Sequence, residues 1–344
     1  MTVPVIAFFN NKGGVGKTSL VYHLAWMYAE QGKRVLAADL DPQANLTAVF
    51  LAEERLAELL WHEAEPEDLK TIYGAINPLR RGIGDVIVPH IEEVDDRIGL
   101  LAGDLQLSIF EDNLATDWAK CLDRDERAFR VQSAFWRVMQ KGASAFEAAF
   151  VLVDLGPNLG SINRAALIAS DYVVVPLAPD LFSLQGLRNL GPRLRTWRAE
   201  WNERLLRNPD PSLPLPSGSI EPIGYVVMQP IMRLDRPIRA YQYWIERIPK
   251  DYAEYVLGRA DQPDSVEDDP NRLAIIKHYQ SLVPMAQEAR KPMFKLKPAD
   301  GALGSHMHAV QSAYRDFKTL ADQICVRLQP TVEVESKAAT DDRP

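Results

Sequence analysis

An apolar run from Val3 to Phe9 leads directly into a glycine-rich loop that ends in a lysine and a threonine. Apolar residues then recur at helical spacing, at Leu20, Leu24 and Tyr28. This order of strand, loop and helix constrains the fold more than any other feature. The glycines let several backbone N–H groups converge on one anion at a helix N-terminus. The segment therefore predicts a phosphate-binding loop at the start of an α/β fold.

The side chains at the end of this loop indicate a nucleoside triphosphate. Lys17 supplies a mobile ammonium for the β- and γ-phosphates, and the hydroxyl of Thr18 is suited to ligate Mg²⁺. We therefore predict ATP and Mg²⁺ as cofactors. The residues predicted to bind the nucleotide are Lys12, Gly13, Gly14, Val15, Gly16, Lys17, Thr18 and Ser19.

The loop departs from the standard phosphate-loop pattern, because Asn11 stands where that pattern has its first glycine and a second lysine, Lys12, follows. Here the chain resembles the ParA/MinD family of ATPases, whose deviant Walker A motif reads Lys-Gly-Gly-x-x-Lys-Thr. The resemblance implies that Lys12 reaches across a dimer interface to the nucleotide of a second subunit. The alternative for Lys12 is a solvated lysine at the edge of the loop.

Acidic residues follow two further apolar runs, at Asp39 and Asp41 and again at Asp154. Mg²⁺ needs oxygen ligands, so we predict Thr18, Asp39 and Asp154 as the metal-binding residues. In the ParA/MinD family the second aspartate of Asp-x-Asp-Pro-Gln positions the attacking water. The resemblance gives that role to Asp41 and makes Lys12, Lys17 and Asp41 the catalytic set. The alternatives are turn-forming or helix-capping aspartates.

Short apolar runs alternate with helical stretches along the chain, which predicts a doubly wound, mostly parallel sheet flanked by helices, the P-loop NTPase fold, with helical insertions. The predicted strands after the first are 35–40, 151–154, 172–176 and 223–228. Segments near 51–97 and 111–145 match the family only loosely and are predicted to be insertions in a single domain, 1–330. The acidic segment 331–344 is predicted to be disordered.

Composition excludes several classes of protein. The net charge of −8 argues against a uniformly basic nucleic-acid coat protein. Two isolated cysteines, Cys121 and Cys325, do not suffice for a disulfide framework or an iron–sulfur cluster. Without a signal peptide or a spanning apolar run, we expect a soluble cytoplasmic protein. The acidic tail argues against membrane targeting, and the few residues before the loop leave no room for an amino-terminal DNA-binding domain.

The resemblance implies a molecular switch that dimerises with ATP, hydrolyses it, binds DNA non-specifically and segregates or positions DNA or another cargo with a ParB-like or other activating partner. Such a protein is expected to associate with the nucleoid. Doubling a basic surface across a dimer favours salt-dependent phosphate contacts. The candidate DNA-binding residues come from two basic stretches and are Arg193, Arg195, Arg198, Arg204, Arg290 and Lys291.

Three alternatives remain open from the sequence. The arginines between 188 and 207 fit a solvated helix face that pairs with Glu200 and Glu203. The chain also fits an ATP-gated regulator or scaffold that binds protein without DNA. A small-molecule ligase or kinase of the dethiobiotin-synthetase kind shares the phosphate loop, although Lys12 and the 39–43 motif favour the switch.

Overall fold

The computed structural model describes residues 2–60, 69–229, 238–259, 265–279 and 281–328. Within these residues the chain forms one sheet of eight strands in the order β3-β4-β2-β5-β1-β6-β7-β8, and all neighbours run parallel except β3 and β4. The strands are β1 (Val5–Phe8), β2 (Val35–Asp39), β3 (Glu92–Asp95), β4 (Ile98–Leu101), β5 (Phe150–Asp154), β6 (Tyr172–Leu177), β7 (Glu221–Met228) and β8 (Arg272–Ile276).

Helices cover both faces of this sheet. They are α1 (Lys17–Glu30), α2 (Asn45–Phe50), α3 (Glu53–Leu60), α4 (Ile72–Arg81), α5 (Leu107–Lys120), α6 (Glu126–Gln132), α7 (Ala134–Ala145), α8 (Ser161–Ile168), α9 (Leu181–Leu205), α10 (Ile238–Ile245), α11 (Ile248–Asp251), α12 (Leu282–Ala289) and α13 (Ser305–Leu328). None of the helices in the described part of the chain is long and apolar enough to cross a membrane.

The central strands are buried on both faces, which explains why they are continuous apolar runs rather than alternating ones. One core packs α4 to α9 against the sheet, and a second core packs α1, α12 and α13 against the opposite face. The predicted doubly wound, mostly parallel sheet is therefore confirmed. The four strands predicted after the first are all present, with bounds that differ by one or two residues.

The loosely matching segments are mostly helical. Segment 51–97 contains α3, α4 and the antiparallel edge strand β3, and segment 111–145 contains the end of α5 together with α6 and α7. Apolar residues of both segments, such as Ile76 and Phe129, are fully buried in the first core. Residues 61–68 and the predicted disordered tail, 331–344, lie outside the described residues.

Strand order determines where the candidate site lies. Because β5 lies between β1 and β2, the ends of these three strands are neighbours, and Asp154 pairs in register with Phe8 on one side and Asp39 on the other. The glycine loop follows β1 directly. The loop and both acidic strand ends therefore meet at the carboxyl edge of the sheet, where doubly wound proteins bind ligands.

Candidate functional site

The loop between β1 and α1 has a backbone that depends on glycine. Gly14 and Gly16 have φ angles of 71° and 82°, a left-handed conformation that costs glycine little. Gly16 is also the N-cap of α1. Because glycine has no side chain, no capping side chain accepts a hydrogen bond from the first N–H groups of the helix. The loop therefore presents the free amides of a helix N-terminus to a bound anion.

Lys17 lies inside this loop. Its Nζ donates to the carbonyl oxygens of Asn10 and Lys12 at 3.2 and 3.3 Å, and the side chain is largely buried. Burial lowers the pKa of Lys17, an effect that the nearby carboxylates of Asp154 and Asp41 partly oppose. The ammonium is therefore held at the point where the loop would receive phosphate oxygens.

Lys12 points elsewhere. Its Nζ forms an ion pair with Oδ2 of Asp180, the N-cap residue of α9, and both side chains remain partly exposed, at 26% and 36%. Asn10 fixes the backbone beneath this lysine, because its Oδ1 accepts from the Lys12 N–H at 3.0 Å and its Nδ2 donates to the Pro176 carbonyl at 2.8 Å. The two lysines of the loop thus occupy different environments, one inside the loop and one at its rim.

The two acidic strand ends differ in how their oxygens are used. Oδ2 of Asp154 accepts from the hydroxyl of Thr18 at 2.6 Å, whereas its Oδ1 is buried without a hydrogen-bond partner. Oδ2 of Asp39 accepts from the N–H and the hydroxyl of Thr47 at 2.8 and 2.7 Å, which ties β2 to α2. Burial raises the pKa of both carboxyls, and the negative charge of the neighbouring aspartates raises them further.

These residues fit a magnesium ion. Asp154 supplies a buried carboxylate oxygen that lacks a partner, and the Thr18 hydroxyl lies beside it. Among the described residues there is no group of three or more His, Cys, Asp or Glu that would hold a metal on protein ligands alone. That composition suits Mg²⁺, which keeps several waters and binds through one or two protein oxygens together with nucleotide phosphates. The role predicted for Asp39 at the metal remains a prediction, since Thr47 already occupies one of its oxygens.

Asp41 lies at the same edge of the sheet and is 7% exposed. Its Oδ1 accepts from the N–H of Gln43 at 3.0 Å, which orients the carboxylate, and the residue lines the cleft described below. A Cβ at Gly156 would lie 3.2 Å from that same oxygen. The glycine at this position therefore leaves room around the Asp41 carboxylate.

A cleft of about 810 Å³ opens from the loop. Its lining includes the start of α1 with Tyr22 and His23, and also α12 and the residues that follow it. Sequence reasoning missed these two parts of the lining. It also placed Arg290 and Lys291 on a DNA-binding surface, whereas the structure places both in the wall of this cleft, with Lys291 paired to Asp300 at 2.7 Å.

The arginines predicted to bind DNA along α9 have different surroundings. Arg204 is 5% exposed, its Nε donates to the Trp118 carbonyl at 2.9 Å, and its guanidinium lies 3.9 Å from the centre of the Trp118 ring. The prediction is therefore corrected for Arg204, because a buried guanidinium that is satisfied by the protein cannot contact a phosphate backbone.

The other three arginines are closer to the surface. Arg195 and Arg198 donate to the carbonyls of Tyr255 and Ile220 at 2.7 and 2.6 Å. Arg193 is exposed, with its guanidinium 5.8 Å from the centre of the Trp197 ring. Apolar residues of this helix, among them Leu190, are buried.

A parallel doubly wound sheet with a glycine loop, a buried lysine and a Thr–Asp pair at its carboxyl edge defines the class of P-loop nucleoside triphosphatases. Residues 3–206 match the sequence model of the AAA domain family. That match covers more than half of the chain, and together with the deviant loop and its relatives it shows that the chain belongs to the ParA/MinD family of P-loop ATPases.

Two relatives illustrate the sequence similarity. The chain is 29% identical over 206 residues to the sporulation initiation inhibitor protein Soj of Bacillus subtilis, which covers 59% of this chain and 69% of Soj. It is 26% identical over 190 residues to the chromosome partitioning protein ParA of Myxococcus xanthus, which covers 54% of this chain and 56% of that protein. The curated relatives are matched over 42% to 70% of their own length.

Solved structures share the fold over most of the chain. Protein DIP2308 of Corynebacterium diphtheriae superposes with a TM-score of 0.69 at 23% identity, covering 95% of this chain and 99% of that one. A putative plasmid partition protein of Borrelia burgdorferi, solved with AMPPNP bound, superposes with a TM-score of 0.56 at 17% identity and covers 95% and 100%. At these identities the similarity establishes the fold alone.

Proposed function

We propose that this protein is an ATP-dependent dimerising switch that hydrolyses ATP and acts, like the partition proteins it resembles, in segregating or positioning DNA or another cargo with an activating partner protein. The observation that carries the proposal is the separation of the two lysines. Lys17 is buried within its own loop, whereas Lys12 lies at the rim on a partly exposed ion pair with Asp180. A lysine at the rim is placed to serve a second subunit.

The chemistry follows from the residues around the loop. The loop amides and Lys17 bind the phosphates, and Lys17 balances the charge that develops on the transferred phosphoryl group. Thr18 and Asp154 would hold Mg²⁺, which neutralises charge on the β- and γ-phosphate oxygens when bound. Asp41 accepts a hydrogen bond from the attacking water and orients it in line with the terminal phosphorus. Phosphoryl transfer depends on such placement more than on strong base catalysis.

Two variants separate dimerisation from hydrolysis. Lys12→Ala leaves the loop and Lys17 in place, so we expect ATP affinity within about threefold of wild type and no ATP-dependent dimer in sedimentation velocity. Lys33→Ala is the control, because it removes a lysine that follows α1 and lies outside the loop. A Lys12→Ala protein that still dimerises with ATP would contradict the cross-subunit role.

Asp41→Ala removes the group that orients water but none of the phosphate ligands. We therefore expect this variant to dimerise with ATP and to release phosphate at least about 100-fold more slowly than wild type, the rate loss expected when a positioning carboxylate is removed. Because hydrolysis is slow, the dimer should persist. The readouts are phosphate release and sedimentation of the same sample. Hydrolysis at the wild-type rate would remove Asp41 from the mechanism.

Non-specific DNA binding belongs to the same proposal, and α9 is the helix that supports it. Arg193 is exposed on this helix, and Arg195 and Arg198 lie nearby. We expect Arg193→Glu to weaken ATP-dependent binding to duplex DNA and to flatten its dependence on salt, since the slope of log affinity against log salt concentration grows with the number of phosphate contacts. Arg315→Glu makes the same charge change on α13 and is the control. Equal losses of DNA affinity in both variants would show that the effect comes from net charge alone.

A second candidate is an ATP-gated protein-binding regulator without DNA binding. It is favoured by Arg195, Arg198 and Arg204, each of which donates to a carbonyl group of the protein itself, so that fewer guanidinium groups are available for phosphates. Sedimentation with ADP, with ATP, and with ATP plus duplex DNA separates the two candidates. Dimerisation with ATP that never includes DNA selects the regulator, and a DNA-bound dimer predicts association with the nucleoid.

A further inference from the structure

His23 is a buried side chain of the cleft that the proposed hydrolysis does not use. It lies on α1, one turn after the phosphate loop, and is 6% exposed. Its Nδ1 lies 2.7 Å from the Ser19 carbonyl oxygen, and its Nε2 accepts from the backbone N–H of Met293 at 3.2 Å. The imidazole thus connects the helix that carries the loop with the segment that follows α12.

These two contacts fix the state of the ring. The Met293 N–H is a donor, so Nε2 must be unprotonated to accept from it, and Nδ1 must then carry the proton that it donates to Ser19. Only the neutral Nδ1-protonated tautomer satisfies both partners. Burial acts in the same direction and lowers the pKa of His23 to about 4.

Aromatic neighbours hold the ring in this orientation. Phe317 of α13 stacks on it with ring centres 4.6 Å apart and an angle of 14°, and Tyr22 and Phe294 contact its edges at 5.2 and 6.0 Å. Buried rings that pack in this way have little freedom to reorient. The hydrogen bond to Met293 is therefore made by a rigid group rather than by a mobile side chain.

The segment that His23 holds is one wall of the cleft. Arg290, Lys291 and Met293 line it together with Val283 and Ala286 of α12. The phosphate loop lines the same cleft, and the cleft volume of about 810 Å³ exceeds what a triphosphate alone needs. The remaining apolar wall suits the flat base and the sugar of a nucleotide.

We propose that His23 is a positioning residue that fixes this wall against the phosphate-loop helix and thereby determines affinity for the nucleoside part of the ligand. The inference rests on the proposed nucleotide-binding function and deepens it. In this proposal His23 makes no contact with the phosphates. A substitution of His23 must therefore change the affinity for a complete nucleotide and leave unchanged the affinity for a ligand that has no base or sugar.

The test compares ATP with inorganic tripolyphosphate, each with Mg²⁺, by titration calorimetry on the full chain. His23→Phe keeps a ring to stack on Phe317 but removes both hydrogen bonds. We expect it to lose about tenfold in ATP affinity, as for one ordering hydrogen bond, with tripolyphosphate affinity within about twofold of wild type. His23→Gln places an amide oxygen near the position of Nε2, so we expect it to recover part of the ATP affinity.

Three results would overturn the inference: unchanged ATP affinity in His23→Phe, equal losses for ATP and tripolyphosphate, or no recovery in His23→Gln. Equal losses would mean that His23 acts through the loop or through overall folding. If His23→Phe does not fold, the comparison of ATP with tripolyphosphate in His23→Gln decides alone, with selective loss supporting the inference and parallel loss opposing it. A wild-type protein that binds neither ligand would instead refute the proposed function.

Discussion

The acidic pair at the carboxyl edge of the sheet leads to a prediction about stability. Asp39 and Asp154 are fully buried neighbours in paired register, and Lys17 is the cation whose charge acts on Asp154. Burial raises both pKa values above the ordinary 3.8, and repulsion adds to this effect, from Asp41 on Asp39 and from Asp39 and Asp41 on Asp154. A raised carboxyl pKa means that ionisation costs more in the folded protein than in the unfolded chain.

The change to test is Asp154→Asn. At pH 4 the wild-type carboxyl is protonated and nearly isosteric with the amide, so we expect little difference in the free energy of unfolding. As the pH rises through the raised pKa, wild type loses stability and the variant does not. Because a tenfold change in a protonation equilibrium corresponds to about 1.4 kcal/mol, we expect the variant to be about 1–3 kcal/mol more stable than wild type at pH 8.5.

The assay is urea unfolding in EDTA from pH 4 to pH 8.5, repeated at pH 8 with Mg²⁺ and ADP. Ligand binding to the folded state adds about 2.7 kcal/mol at a concentration 100 times Kd, and Asp154→Asn removes a proposed ligand of the metal. The order of stability should therefore reverse, with the variant more stable in EDTA and wild type more stable with Mg²⁺ and ADP.

Asp117 provides the control, because it is equally buried but pairs with Lys120 at 2.8 Å and with Arg127 at 3.1 Å. Asp117→Asn should destabilise the protein at neutral pH, since it leaves cations without their partner. The reasoning is refuted if Asp154→Asn is less stable than wild type in EDTA at pH 8.5, or if the difference between them does not change with pH.

Three further variants follow from particular contacts. Asp180→Asn keeps the N-cap of α9 but removes the charge that pairs with Lys12, so sedimentation should detect ATP-dependent dimers at lower protein concentration than for wild type. Arg204→Met should cost about 1–3 kcal/mol in urea unfolding because the Trp118 carbonyl loses its buried donor, whereas Arg193→Met should change stability by less than about 0.5 kcal/mol. Arg290→Gly relieves a left-handed φ of 49° and should stabilise the fold by about 0.5–1 kcal/mol while calorimetry detects weaker nucleotide binding.

The parts of the fold that could be predicted have strong local signals. Glycines mark the phosphate loop before α1, and continuous apolar runs mark the strands at 35–40, 151–154, 172–176 and 223–228. Both signals are visible within a few residues of the sequence. No prediction covered β8, a short strand that begins with a charged residue, or α13, whose neighbours in space are the distant α1 and β8. These elements depend on partners far away in the sequence.

The candidate site divides in the same way. Thr18, Asp39 and Asp154 were predicted to come together because each follows a parallel strand or its loop, and the structure brings them to one edge of the sheet. The wall behind α12 and the residue His23 were missed, since their contacts join positions 270 residues apart. For Arg204 the predicted helix was right, but the predicted exposure to DNA was wrong, because the Trp118 carbonyl that accepts its hydrogen bond lies 86 residues away in the sequence.

The same helix α9 contacts the phosphate loop at two points, through Asp180 and through Gly186. Asp180 at its first turn pairs with Lys12, and a Cβ at Gly186 would lie 2.7 and 2.8 Å from the side-chain oxygens of Asn11 and Asn10. The helix backbone therefore rests directly on the loop. Under the proposed cross-subunit role, movement of Lys12 breaks its ion pair with Asp180, so we expect the first turn of α9 to be the part of this helix that responds to nucleotide state.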